Sequence, residues 1–187
     1  RSVFTILVVY FLIGFAYIIY ATFFVTYAVE EVLVTKTEAG LMWSACGVFS
    51  VLGCFLWGAI SDFFGRKWTT AWDILILSTS IFISVLWISR TGLYVSVILF
   101  AFALNGFITL IAAMFGDHVE VTAVGEIFGF STLIHGLGMA IGASLAGYLK
   151  DLTSTFQVPF LVSGVTTGIC LLIFVLSYEK EKRATAL

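Results

Sequence analysis

The sequence predicts an all-α integral membrane protein with six transmembrane helices. Three observations carry that prediction. Of the 187 residues, 61% are hydrophobic and only 11% are charged. A soluble domain carries about 45–50% apolar and about 25% charged residues, so there is too little charge here to solvate a globular surface. The charges cluster, leaving charge-free runs at 2–29, 39–61, 74–89, 91–116, 127–149 and 152–178. A spanning helix needs about 20 apolar residues, a length that five of the runs exceed. Mean hydropathy is +1.13.

Taken in order, the spans fall at roughly 4–27, 39–60, 68–88, 92–115, 126–149 and 157–177, within one six-helix transmembrane domain covering 1–187. The first is too long for a signal-peptide core of about 7–15 residues, and no small-x-small cleavage site follows it. The third reaches spanning length only by extending back to Trp68 and accepting Asp73 inside it. Pro159 opens the sixth, where a missing amide is tolerated. No segment shows the polar face of a soluble helix or the alternation of a barrel strand. The chain starts with Arg1 rather than Met, which suggests a piece of a longer protein or a processed form. A net charge of −2 without a basic patch argues against nucleic acid as a partner. The expected surroundings are a lipid bilayer.

The nine Lys and Arg residues set the expected orientation. With the amino terminus in the cytoplasm, Arg1, Arg66, Lys67, Lys180, Lys182 and Arg183 lie inside, and Lys36, Arg90 and Lys150 outside. That favours two cytoplasmic termini. Cys46, Cys54 and Cys170 all fall within spans and are odd in number, so they read as small packing residues rather than a disulfide framework. Gly138 and Gly142 form a G-x-x-x-G in the fifth span, as do Gly164 and Gly168 in the sixth. Small residues at this spacing let helix backbones approach closely in hydrocarbon.

The second and third spans are joined by Gly58-Ala59-Ile60-Ser61-Asp62-Phe63-Phe64-Gly65-Arg66-Lys67. Asp62 can accept from a helix amino terminus or pair with Arg66. Gly65 permits the backbone reversal. The residue order resembles the signature loop of the major facilitator superfamily, G-x-[LI]-x-D-[RK]-x-G-[RK]-[RK], in which Gly58, Asp62, Gly65, Arg66 and Lys67 match. Phe63 stands where a basic residue is usual. The resemblance implies twelve helices in two six-helix halves with a solute path between them, a gating role for the loop, and a partner in the missing six-helix half. It points to the carboxy-terminal half. The fourth span lacks the arginine common in amino-terminal halves, and the fifth reads Gly142-Ala143 in place of their G-P pair. It then runs into Gly147-Tyr148-Leu149-Lys150-Asp151, similar to the penultimate helix of many members. The stretch 17–24, with Trp43 and Trp57-Gly58, resembles the bacterial YbfB/YjiJ-type branch, which implies a bacterial inner (plasma) membrane.

Candidate site residues follow. Tyr10, Tyr17, Tyr20, Phe24 and Tyr27 share a stripe of the first span, and such a stripe suits either helix packing or the wall of a cavity for an organic solute. The family resemblance implies that the first and fourth helices line the path, so Tyr17, Tyr20 and Phe24 are expected there. Asn105, near mid-span in the fourth, needs partners in hydrocarbon and serves either an interhelical bond or a solute. His135, near mid-bilayer in the fifth, is the candidate proton site, because imidazole titrates near neutrality. Ser131 and Thr132 are placed to orient its ring. Asp73 reads as a structural ion pair or an acid reaching for the interface. Asp117-His118-x-Glu120 is a weak metal spacing, and no cofactor or metal is expected.

The function these residues favour is half of a secondary active transporter moving a small organic solute by alternating access, with proton coupling through His135 open. No P-loop is present to supply nucleotide energy. A scaffold or sensor is the competing class. An intramembrane enzyme built on Ser131 and His135 lacks an identifiable oxyanion donor or orienting acid.

Overall fold

In the computed structural model of the chain, residues 2–118 and 123–184 are described. They form six helices: α1 (Ser2–Glu30), α2 (Lys36–Phe64), α3 (Arg66–Leu86), α4 (Arg90–His118), α5 (Val124–Thr153) and α6 (Gln157–Ala184). At about 1.5 Å per residue, even the shortest, α3, reaches about 31 Å, enough to cross a hydrocarbon core. Trp87 and Ile88, expected inside the third span, lie past the end of α3. All six helices are long and apolar enough to cross a membrane.

Two triplets build the bundle. α1 packs on α5 and α6, α4 packs on α2 and α3, and α3 against α6 joins the triplets. Close backbone approach explains the seam of α1 with α5. A Cβ placed on Gly138 would collide with the Phe11 carbonyl oxygen, and one on Gly142 with that of Phe15. The G-x-x-x-G of the fifth span therefore faces α1. Where hydrocarbon surrounds the helices, such packing replaces the hydrophobic effect as the force that joins them.

The tyrosine stripe of α1 is mostly packing. Tyr20, Phe24 and Tyr27 are fully enclosed. Tyr20 stacks on Phe100, with ring centroids 4.3 Å apart. Its hydroxyl lies 2.6 Å from Ser96 Oγ, and Ser96 donates its one proton to the Ser80 carbonyl, so Tyr20 is the donor of that pair. Tyr27 donates to the Ser84 carbonyl at 2.7 Å. Each buried hydroxyl thus finds an acceptor on α3 or α4, as burial away from water demands.

Polar contacts pin both ends. Thr35 caps α2 by accepting from the Glu38 amide, with Glu38 three positions on as in a capping box. Glu38 also reaches across to Arg90 at 3.0 Å. At the same end Glu31, just past α1, accepts from the Phe156 amide and from the Thr155 hydroxyl, capping α6 from a distant part of the chain. Lys150 lies 3.8 Å from Glu31 and 3.5 Å from Glu30. At the opposite end α2 and α3 are separated by Gly65 alone, at φ 81°, a conformation that β-carbon-bearing residues rarely adopt.

Outward, α2 exposes Leu41, Val48, Val51, Leu52 and Phe55, and α5 exposes Phe130, Leu133, Leu137 and Ile141. Apolar side chains on this scale belong in lipid or against another membrane helix.

Candidate functional site

The α1–α5 seam places His135. Its Nδ1 lies 2.9 Å from the Tyr10 carbonyl oxygen. A carbonyl can only accept, so Nδ1 carries the proton, and in the neutral ring Nε2 is left as a bare acceptor. The imidazole is sandwiched between two phenol rings. Tyr10 stacks at 4.2 Å between centroids with a 22° tilt, and Tyr17 stacks at 5.4 Å with an 11° tilt. Ring faces carry the negative side of the aromatic quadrupole, so this slot also suits the protonated, cationic imidazole.

Ser131 and Thr132 do not orient the ring as expected. Both donate to the Phe128 carbonyl of their own helix, the usual outcome for hydroxyls within a helix. Thr132 instead meets the hydroxyl of the neighbouring Tyr10 ring. Tyr17 donates to Met139 Sδ at 3.3 Å. One face of α5, carrying Thr132, His135 and Met139, therefore engages Tyr10 and Tyr17 of α1.

Gly14, which no sequence pattern marks, makes the slot possible. A Cβ there would sit 2.5 Å from the His135 carbonyl oxygen and 2.7 Å from Nδ1. His135 and Tyr17 open on a small crevice between α1, α3, α4 and α5, also lined by Ile13, Leu77, Leu104, Phe107 and Ile108. Asn105 lies half-buried on α4 between the lining residues Leu104 and Ile108; its carbonyl accepts from Thr109. Of the expected path residues, Tyr17 reaches the crevice, while Tyr20 and Phe24 are held inside the bundle with no accessible surface.

The loop at the Gly65 end forms the second cluster. Arg66 pairs through Nε with Asp117 Oδ2 at 2.5 Å, and its Nη1 lies 3.5 Å from Ser61 Oγ. This replaces the expected Asp62–Arg66 pair. The reason is geometric: α3 lies against α4, so its first residue meets the last turn of α4, while Asp62 stays exposed on the last turn of α2. Lys67 lies over the Trp68 ring at 4.8 Å. A cleft lined by Ser61, Asp62, Gly65, Arg66, Lys67, Met114 and Asp117 opens beside them. Gly58 has open space where a side chain would project.

Asp117 is thus an ion-pair partner. Glu120, from the weak metal spacing, lies outside the described residues, as does Arg1. Among the described residues no three metal-ligating side chains converge.

A sequence model of the Major Facilitator Superfamily matches residues 6–186. This chain belongs to the major facilitator superfamily. Among curated superfamily members it is 26% identical over 151 residues to the uncharacterized MFS-type transporter YuxJ of Bacillus subtilis (strain 168), covering 79% of this chain and 38% of that protein. Among solved structures it superposes on an auto-inhibited POT family peptide transporter with a TM-score of 0.84 and 22% identity, covering 96% of this chain and 37% of the other. On a bacterial homologue of the iron transporter ferroportin, in an outward-facing state, the TM-score is 0.78 with 19% identity, covering 94% of this chain and 45% of the other. At these identities the structural likeness carries the fold alone. The six helices are those of an integral membrane protein and amount to half of a superfamily bundle.

Proposed function

We propose that the chain is the carboxy-terminal six-helix half of a secondary transporter that carries a small organic solute by alternating access, with a proton taken at His135. The observation that supports this reading is the His135 ring, held through Nδ1 to the Tyr10 carbonyl and lining the crevice between α1, α3, α4 and α5. A midplane acceptor between two aromatic faces can take a proton or a donor group of the solute. Tyr17 lines the same crevice, and in this reading the Asn105 amide is the other polar group offered to the solute. Tyr20 and Phe24 back this wall from within the bundle. The other six-helix half, packed on the apolar faces that α2 and α5 present, completes the path. The positive-inside count puts both termini in the cytoplasm, and the bacterial relative suits a bacterial inner (plasma) membrane.

In this reading the loop holds one conformer. Gly58 and Gly65 shape the turn, Asp62 and Lys67 line the cleft, and Arg66 locks α3 to α4 through Asp117. The pair is part-exposed, so it is worth at most about 1 kcal/mol. That is enough to shift a two-state equilibrium about fivefold. Arg66→Asp should therefore slow transport several-fold, and the double variant Arg66→Asp with Asp117→Arg should recover most of the loss. Equal rates for the single variant and the wild type would remove the locking role.

The test of the whole reading is solute flux. The complete transporter in proteoliposomes should accumulate a member of a small-solute library when a pH gradient is imposed. If no solute moves in either direction, a scaffold or sensor role takes over.

A further inference from the structure

Asp73 stands apart from everything above. It lies on the second turn of α3, the helix packed between α4 and α6, and has no accessible surface. Both carboxyl oxygens lack a hydrogen-bond partner among the described residues. The ion pair that the sequence suggested is absent. The ionisable side chains of the surrounding helices are engaged elsewhere or lie at a distance along the chain. On α3 itself Arg66 is taken by Asp117 of α4. Arg90 at the far end of α4 is taken by Glu38 of α2. Asp62 of α2 is exposed at the loop, where Lys67 covers Trp68. Between 157 and 177, α6 contributes only the Cys170 thiol. The neighbouring hydroxyls of α3 are spent too, Thr69 on the Gly65 carbonyl and Thr70 on that of Arg66.

An ionised carboxylate enclosed without partner or water is a state that proteins avoid, because burying an isolated charge costs far more than neutralising it. We propose that Asp73 is a proton-binding site separate from His135, occupied by a proton while α3 is packed on α4 and α6. The proton is held as the neutral carboxylic acid, whose burial costs only that of a polar group. It leaves when those helices part and water reaches the carboxyl, which then becomes the aspartate anion. Binding and release involve one proton and no other group. An intramembrane acid of this kind is a natural relay element, and this one sits one turn before Leu77, which lines the crevice beside His135.

The chain has four aspartates: Asp62, Asp73, Asp117 and Asp151. Of these, Asp62, Asp117 and Asp151 stand at helix ends. The test is therefore carboxyl-selective. The complete transporter is produced with 13C-carboxyl aspartate, reconstituted in lipid bilayers and measured by solid-state NMR or isotope-edited infrared spectroscopy at pH 7. The expected result is a protonated aspartate signal in the wild type that persists in Asp62→Asn and is missing from Asp73→Asn. Asp73→Asn copies the neutral acid in size and should keep the wild-type melting temperature, whereas Asp73→Ala should lower it. All aspartates ionised in the wild type at pH 7 would overturn the proposal, and that outcome needs no variant to fold. Survival of that protonated signal in folded Asp73→Asn would overturn it too.

Discussion

His135→Gln should abolish uptake driven by a pH gradient while solute exchange continues at a rate near that of the wild type. The glutamine amide can still donate to the Tyr10 carbonyl and accept from a solute, so the slot keeps its hydrogen bonds. What it loses is titration. A positive imidazolium near mid-bilayer without help costs about 2.5–3.5 kcal/mol on insertion scales. Here the Tyr10 and Tyr17 faces, at 4.2 and 5.4 Å, offset part of that cost. Cation–π contacts contribute about 0.5–2 kcal/mol each. Uptake and counterflow in proteoliposomes, each measured across pH, separate the two activities. If uptake in the glutamine variant keeps the pH dependence of the wild type, His135 is a packed polar residue and the proton enters elsewhere.

Gly14→Ala should damage both fold and function. The added methyl would face the His135 carbonyl oxygen and Nδ1, and the first of these belongs to the α5 backbone. Helix backbone cannot step aside as a flexible side chain can, so α1 and α5 must move apart. Overpacking of this kind costs about 1–3 kcal/mol. The same displacement stretches the Tyr10–His135 bond, so driven uptake should fall by tenfold or more. Gly138→Ala presses on the seam from the other helix and should be destabilising by a similar amount. The two variants share the seam, so their effects should not add. Gly116→Ala, with open space at its Cβ position, should leave the melting temperature unchanged or slightly raised, because alanine favours a helix. Thermal unfolding in detergent checks all three. A wild-type melting temperature for Gly14→Ala would mean that the seam is looser than this.

Much of the architecture is written in the sequence. Charge-free runs mark six helices because hydrocarbon excludes unpaired charge, and that constraint acts on each segment separately. The Gly58–Lys67 loop is readable for the same reason, since a one-residue turn needs its glycine at a fixed place. Gly138 and Gly142 announce a close contact by their spacing. What the sequence cannot give is the identity of the partner. Arg66 meets Asp117, 51 positions away, because α3 lies against α4, and no local pattern records that. The Tyr20 and Phe24 stripe marks an inward face of α1 without saying whether that face meets a cavity or other helices. Gly14 carries no visible signal, because its role depends on a histidine on another helix. Asp73 looked like half of an ion pair, and only the packed bundle shows a carboxyl with nothing to pair with.

In the proposed mechanism solute crosses beside His135, between α1, α3, α4 and α5. The most direct measurement uses the complete transporter with Cys46, Cys54 and Cys170 replaced and a single cysteine introduced in place of Ile108, which lines the crevice. A membrane-impermeant thiol reagent is applied from each side of the membrane in turn, with Phe24→Cys as the enclosed control. Ile108→Cys should react from both sides, transported solute should slow the reaction, and Phe24→Cys should stay unreactive. An Ile108→Cys protein that transports solute yet reacts from neither side would contradict it.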